Sequence, residues 1–118
     1  MRTIIFDFDG VIHTYTSGWC GIANIPDPPV EGIREEIKRI RDAGYKVVIF
    51  SSRCRNQDGV EAILKYISDH NIEVDDVVDN KIPAVLSVDD RAICFDGNPK
   101  GLLEKIERFK PWTEGGET

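Results

Sequence analysis

Four short segments of this sequence carry the residues able to do chemistry. Asp7 and Asp9 close the apolar run Ile4-Ile5-Phe6. Ser51, Ser52 and Arg53 follow Val47-Val48-Ile49-Phe50. Lys81 stands shortly after Val77-Val78, and Asp89-Asp90 follow Leu86-Ser87-Val88, with Arg91 next. Four carboxylates gathered in one place repel one another. A magnesium ion relieves that cost, because it is a hard cation held by one or two carboxylates together with waters and substrate phosphate. A carboxylate can also attack phosphorus, giving an aspartyl-phosphate and splitting a displacement into two easier steps. The metal and nearby cations then offset charge on the transferring phosphoryl group.

Spacing divides the labour. In an extended segment residues i and i+2 face the same way, so Asp7 and Asp9 point together while Phe6 and Phe8 point elsewhere. Gly10 lets the backbone turn away behind them. One acid attacks and the other protonates the leaving oxygen. The Ser51 hydroxyl suits a phosphate oxygen, Lys81 is a point cation for nucleophile and phosphate, and Ser52 and Arg53 extend that side of the site. Singly, each group has a plainer reading: Asp9-Gly10 and Asp89-Asp90 as turns, Ser51 as a loop hydroxyl, Lys81 as a solvated cation. His13 reads as an exposed loop histidine or a substrate contact.

The elements that would position these groups alternate in type. Residues 3–9 and 45–51 read as buried strands, with further short strands around Val74 to Val78, Ala84 to Val88 and Ala92 to Phe95. One helix is expected to open at Pro28-Pro29 with Asp27 as its cap, to carry Val30, Ile33, Ile37 and Ile40 on one face, and to end at Gly44. A second carries Val60, Ile63, Leu64 and Ile67. A third opens at Asn98-Pro99 and carries Leu102, Leu103, Ile106 and Phe109. Residues 10–29 form a long irregular connection, in which Tyr15 and Trp19 either wall a pocket or pack the loop down. The order implies an α/β protein: a three-layer Rossmann-like fold with a mainly parallel central sheet of about five strands. In such sheets ligands bind beyond the carboxyl ends of the strands, where all four groups would meet. Residues 1–112 are expected to form one domain without a substantial cap domain, and 113–118 a frayed tail.

The four segments resemble the four motifs of the haloacid dehalogenase (HAD) superfamily. Asp7-Phe8-Asp9-Gly10-Val11-Ile12 resembles the first, Phe50-Ser51-Ser52-Arg53 the second, Asn80-Lys81-Ile82-Pro83 the third and Leu86-Ser87-Val88-Asp89-Asp90 the fourth, in family order. One such motif is a weak signal; four in order, each at a strand end or the following loop, are a strong one. The resemblance implies a magnesium-dependent phosphomonoester hydrolase. Asp7 would be nucleophile and metal ligand, and Asp9 general acid/base with its carbonyl on the metal. Ser51 would bind phosphate and Lys81 would stabilise the phospho-aspartyl state. Asp90 would ligate the metal directly and Asp89 through water. An acid at position 9 favours phosphatase over dehalogenase chemistry. Ile82 between Lys81 and Pro83 departs from the usual Lys-Pro. The short connections resemble those of capless members, whose open sites suit bulky substrates or a covering subunit. The Ser-Arg and Asp-Asp-Arg patterns resemble the phosphatase half of polynucleotide kinase-phosphatases.

Composition narrows the partners. A net charge of −6 over 118 residues disfavours non-specific binding of nucleic acid or anionic lipid. A nucleic-acid end therefore remains a less favoured substrate than other phosphate monoesters. No apolar run is long enough to span a bilayer and the start does not read as a signal peptide, so a cytoplasmic location is expected. Cys20, Cys54 and Cys94 are too widely spaced for a zinc site and odd in number for a disulfide framework, and Cys94 reads as buried. A homo-oligomer that covers the site is compatible with the sequence. Two rivals remain. A receiver-type signalling module shares the acidic pocket, magnesium and lysine, but its acidic pair comes early and its phospho-accepting Asp later. The second is a non-catalytic phosphate-binding relative.

Overall fold

The computed structural model describes residues 2–114. Its centre is two apolar runs: β1 (Thr3–Asp7) and β2 (Lys46–Phe50). Their middle residues are buried, Val47, Val48 and Ile49 completely, as continuous hydrophobic strands of a parallel sheet should be. β3 (Asp76–Val78) and β4 (Leu86–Val88) complete one parallel sheet in the order β3-β2-β1-β4. Asp7 pairs in register with Phe50, Phe50 with Val78, and Phe6 with Val88. That alignment makes the four strands end on one edge. Phe8–Gly10, Ser51–Arg53, Asp79–Lys81 and Asp89–Arg91 all leave the sheet from it.

Three helices form in the expected places, but the first and third start later, Val30 and Phe109 lie outside them, and Leu64, Leu103 and Ile106 are exposed. α1 (Ile33–Asp42) buries Ile37 and partly buries Ile33 and Ile40. Its cap is Gly32, at φ 84°, and not Asp27. Asp27 is otherwise engaged, accepting hydrogen bonds from the Ser17 amide at 2.8 Å and hydroxyl at 2.6 Å. α2 (Gln57–Asp69) is capped by Asn56, whose side chain accepts from the Asp58 amide, and it buries Gly59, Ile63, Tyr66 and Ile67. Truncating Ile37 or Ile63 to Ala would cost roughly 2–5 kcal/mol in such packed positions. α3 (Leu102–Arg108) begins after Gly101, at φ 79°, and buries none of its residues. Asn98 serves a turn ahead of it, accepting from the Lys100 amide.

The sheet has four strands, not about five. Residues 92–95 form no ladder. Two side-chain turns bracket them: Asp89 accepts from the Arg91 amide and Asp96 from the Asn98 amide, each at 2.9 Å. Asx turns of this kind offer the backbone partners other than a neighbouring strand. Phe95 and Cys94 are accordingly exposed rather than buried. Residues 113 and 114 belong to a short 3-10 turn, Trp112–Glu114, and the rest of the expected frayed tail lies outside the described residues. Between β1 and α1 there is loop only, and between β2 and β3 one 3-10 turn and α2. No helix among the described residues is long and apolar enough to cross a membrane. The core lies around β1, β2, α1 and α2, and thins toward β4, where Leu86 is 60% exposed.

Candidate active site

The carboxyl ends of β1 and β4 bring three acids together. Asp7, Asp89 and Asp90 each offer a carboxylate oxygen within 4.8 Å of the others. Burial, a hydrogen bond with Asp90 and the charges of Asp89 and Asp90 push the Asp7 carboxyl up from 3.8 to about 8. Asp90 Oδ1 is buried with no hydrogen-bond partner. A buried orphan acceptor asks for an explanation. A hard cation would supply one here, since it takes oxygen ligands and removes the repulsion that raises Asp7. The donor set therefore fits magnesium. Gly10 completes the cradle: at φ +85° it lacks a Cβ that would overlap the Asp90 carboxylate.

Asp9 has different company. His13 Nδ1 lies 2.9 Å from Asp9 Oδ1, Arg53 Nε 2.8 Å from Oδ2, and Arg53 Nη2 3.2 Å from Oδ1. The Asp27 amide donates to His13 Nε2 at 3.1 Å. Nε2 is thus an acceptor, so Nδ1 carries the ring proton and donates to Asp9. Burial alone would raise the Asp9 carboxyl. The hydrogen bonds from His13 and Arg53 and the charge of Arg53 outweigh it and hold the carboxyl below its usual range. Asp9 is a carboxylate with donors on both oxygens.

Arg53 is wholly buried. Nη1 donates to the carbonyls of Gly21 and Ile22, each at 2.8 Å, and the Trp19 ring lies 4.6 Å over the guanidinium. The long 10–29 loop is thereby folded around two buried polar side chains, Arg53 and His13. Gly59, in the first turn of α2, lets that helix approach the Arg53 carbonyl, which a Cβ would strike.

The other residues singled out in the sequence are placed as follows. Ser51 is buried, and its oxygen accepts from the Arg53 amide at 3.2 Å, leaving the hydroxyl hydrogen free to reach a phosphate. Ser52 is exposed, within the 3-10 turn Ser52–Arg55. Lys81 is exposed on the loop after β3, with no ion pair within 4.0 Å among the described residues. The sheet edge thus joins Asp7, Asp89 and Asp90 in one cluster and Asp9 with Arg53 in another, while Lys81 makes no bond with either. Arg53, expected to extend the substrate side, has its donors turned to Asp9 and loop carbonyls. His13 and Trp19 were not expected to hold Asp9 and Arg53. The available signal was their place in a long loop directly after Asp9.

The far wall comes from the C-terminal segment. Trp112 Nε1 donates to the Gly10 carbonyl at 2.6 Å. A cavity of about 480 Å3 lies there, lined by Asp89, Asp90, Val88, Phe109 and Trp112 among others.

No protein-family model matches the chain, and no curated protein sequence matches it. Two solved structures share the fold. A chain of the Pnkp1/Rnl/Hen1 complex superposes with TM-score 0.57 at 19% identity, over 89% of this chain and 34% of that one. A Vibrio cholerae protein superposes with TM-score 0.51 at 17% identity, over 91% of this chain and 98% of that one. The chain thus spans about a third of the first neighbour.

Proposed function

We propose that this chain is a magnesium-dependent phosphomonoester hydrolase of the HAD type, acting through an aspartyl-phosphate on Asp7. One observation carries the reading: Asp7 shares a three-carboxylate cluster with Asp89 and Asp90, whose buried Oδ1 has no partner. The four motifs support it by their order, and so does the fold shared with a chain of the Pnkp1/Rnl/Hen1 complex.

Asp7, Asp89 and Asp90 would hold the ion, with the Asp9 carbonyl. Bound there, magnesium supplies positive charge to the transferring phosphoryl oxygens. An Asp7 oxygen attacks phosphorus as the bond to the leaving oxygen breaks. Ser51 donates its hydroxyl hydrogen to a phosphoryl oxygen, and Lys81 closes on the phosphate from its exposed loop. In the second half a water oxygen attacks the same phosphorus and the bond to Asp7 breaks. Asp9, already a carboxylate, takes that water's proton. Its proton in the first half comes only from the small protonated fraction, so leaving groups that depart as anions are favoured.

The test is hydrolysis of an aryl phosphate with and without magnesium, beside Asp7→Asn. Metal-dependent turnover that vanishes in Asp7→Asn is expected; no metal-dependent turnover across a broad phosphate panel ends the reading. A second reading, a phospho-accepting module with a long-lived aspartyl-phosphate, would have the bonds from His13 and Arg53 withhold Asp9 from the attacking water. It predicts stable labelling of Asp7 by acetyl phosphate in place of turnover.

A further inference from the structure

We propose that Trp19, backed by Arg53, is a stacking platform for a planar heteroaromatic group, so that the preferred substrate is a phosphate ester carrying a nucleobase. This rests on the phosphatase reading for the phosphate and adds the rest of the substrate.

Trp19 is 56% exposed although it covers a wholly buried side chain, Arg53. One face of its ring lies 4.6 Å from the Arg53 guanidinium. That guanidinium is fixed by the Asp9 carboxylate and by carbonyls of Gly21 and Ile22, in the same loop as Trp19. The indole is therefore held in one orientation by a cation that cannot move, while much of its surface stays in water. A lid whose task was to seal Arg53 would bury more of itself. Rigid, half-exposed aromatic rings are the usual means of holding bases without reading their edges, since every base has a π-face.

The Trp19 ring is also tied to the acids through Arg53. The guanidinium beneath it is bonded to Asp9, two residues from the nucleophile. Tyr15 belongs to the same loop. It adopts φ 62°, a left-handed conformation that costs a non-glycine residue strain, and its ring meets His13 edge-on at 5.9 Å. Two aromatic residues of the loop thus pack on the groups that hold Asp9: Trp19 on Arg53 and Tyr15 on His13. Trp19 supplies the stacking face.

The test compares a nucleoside 5′-monophosphate with glycerol 3-phosphate, whose leaving groups are both primary alcohols and differ in the base. Trp19→Ala should lower kcat/KM for the nucleotide about 5- to 100-fold more than for glycerol phosphate, mainly through KM. Trp19→Phe should restore most of the loss. Equal losses on both substrates, or none on either, overturn the proposal. A second arm needs no turnover: in EDTA the nucleotide should quench wild-type tryptophan fluorescence saturably, and the Trp19→Phe protein, left with Trp112, should show no such quench. Saturable quenching without turnover of any phosphate would sink the hydrolase reading and leave the platform standing; turnover without base preference or quenching would do the reverse. An oligonucleotide bearing a terminal phosphate, run beside the mononucleotide, distinguishes a strand end from a free nucleotide as the source of the base.

Discussion

Arg53 grips Asp9 from inside the protein, through Nε to Oδ2 at 2.8 Å and Nη2 to Oδ1 at 3.2 Å. The guanidinium is wholly buried, whereas the Asp9 side chain is 21% exposed. Removing one member of a buried pair strands the other, at a cost of roughly 3–5 kcal/mol. Arg53→Met should therefore lower the unfolding free energy by about that amount in urea titrations. Arg53→Lys keeps the charge but loses the planar fork, and should fall between. A loss under about 1 kcal/mol for Arg53→Met would mean that the fork does not hold the loop.

The raised Asp7 carboxyl ties metal, pH and stability together. Without a cation, folding lifts its pKa from 3.8 to about 8, so the folded state holds this proton more tightly. That contribution to stability is complete below about pH 4 and is lost as pH rises through about 8. Magnesium must displace the proton, so its affinity should rise over the same interval, with proton release on binding near neutral pH. Melting curves at pH 5 and pH 8, with and without magnesium, should show the larger metal-induced gain at pH 8. Asp7→Asn should flatten the pH dependence of the metal-free protein; an unchanged slope would move the titration to another group.

Gly10→Ala tests the cradle around Asp90. A methyl at this position overlaps the Asp90 carboxylate, on a backbone already at φ +85°. Displacing a ligand by this means should weaken magnesium binding about 10- to 100-fold, comparable with losing the support of a metal ligand. Isothermal titration with magnesium reads the effect directly. Equal affinity in both proteins would remove Asp90 from the ligand set.

Leaving-group chemistry should expose the state of Asp9. General acid assistance contributes typically 10²–10⁴-fold. With Asp9 held as a carboxylate by His13 and Arg53, aryl phosphates should outpace alkyl phosphates by about 10²-fold or more in kcat, and the gap should narrow as pH falls. Equal rates for the two classes at neutral pH would mean that Asp9 is protonated when substrate is bound.

Much of the frame could be read from residue type. Ile4-Ile5-Phe6 and Val47-Val48-Ile49 are strands because nothing in them suits another environment, and their register brings Asp7, Ser51 and Asp89 to one edge. Local cues served less well where side chains had distant partners. Asp27 has the composition of a helix cap but serves Ser17, ten positions earlier. Arg53 has the composition of a surface cation. What buries it are carbonyls of residues 21 and 22, which only the folded loop brings near. Residues 92–95 have strand composition, but turns at both ends stop a ladder.

Trp112 and Gly10 are joined across 102 positions of chain. On the ribosome, β1 and its acids emerge early, whereas the indole that fastens their turn emerges near the end of the described chain. The turn below Asp9 is thus locked only after 102 further residues are made, and until then the acids lack their far wall. Contacts of such sequence separation form slowly, because a long loop must close before they repay its entropy. A nascent chain stalled before residue 112 would carry every motif and lack the clasp that shapes the first.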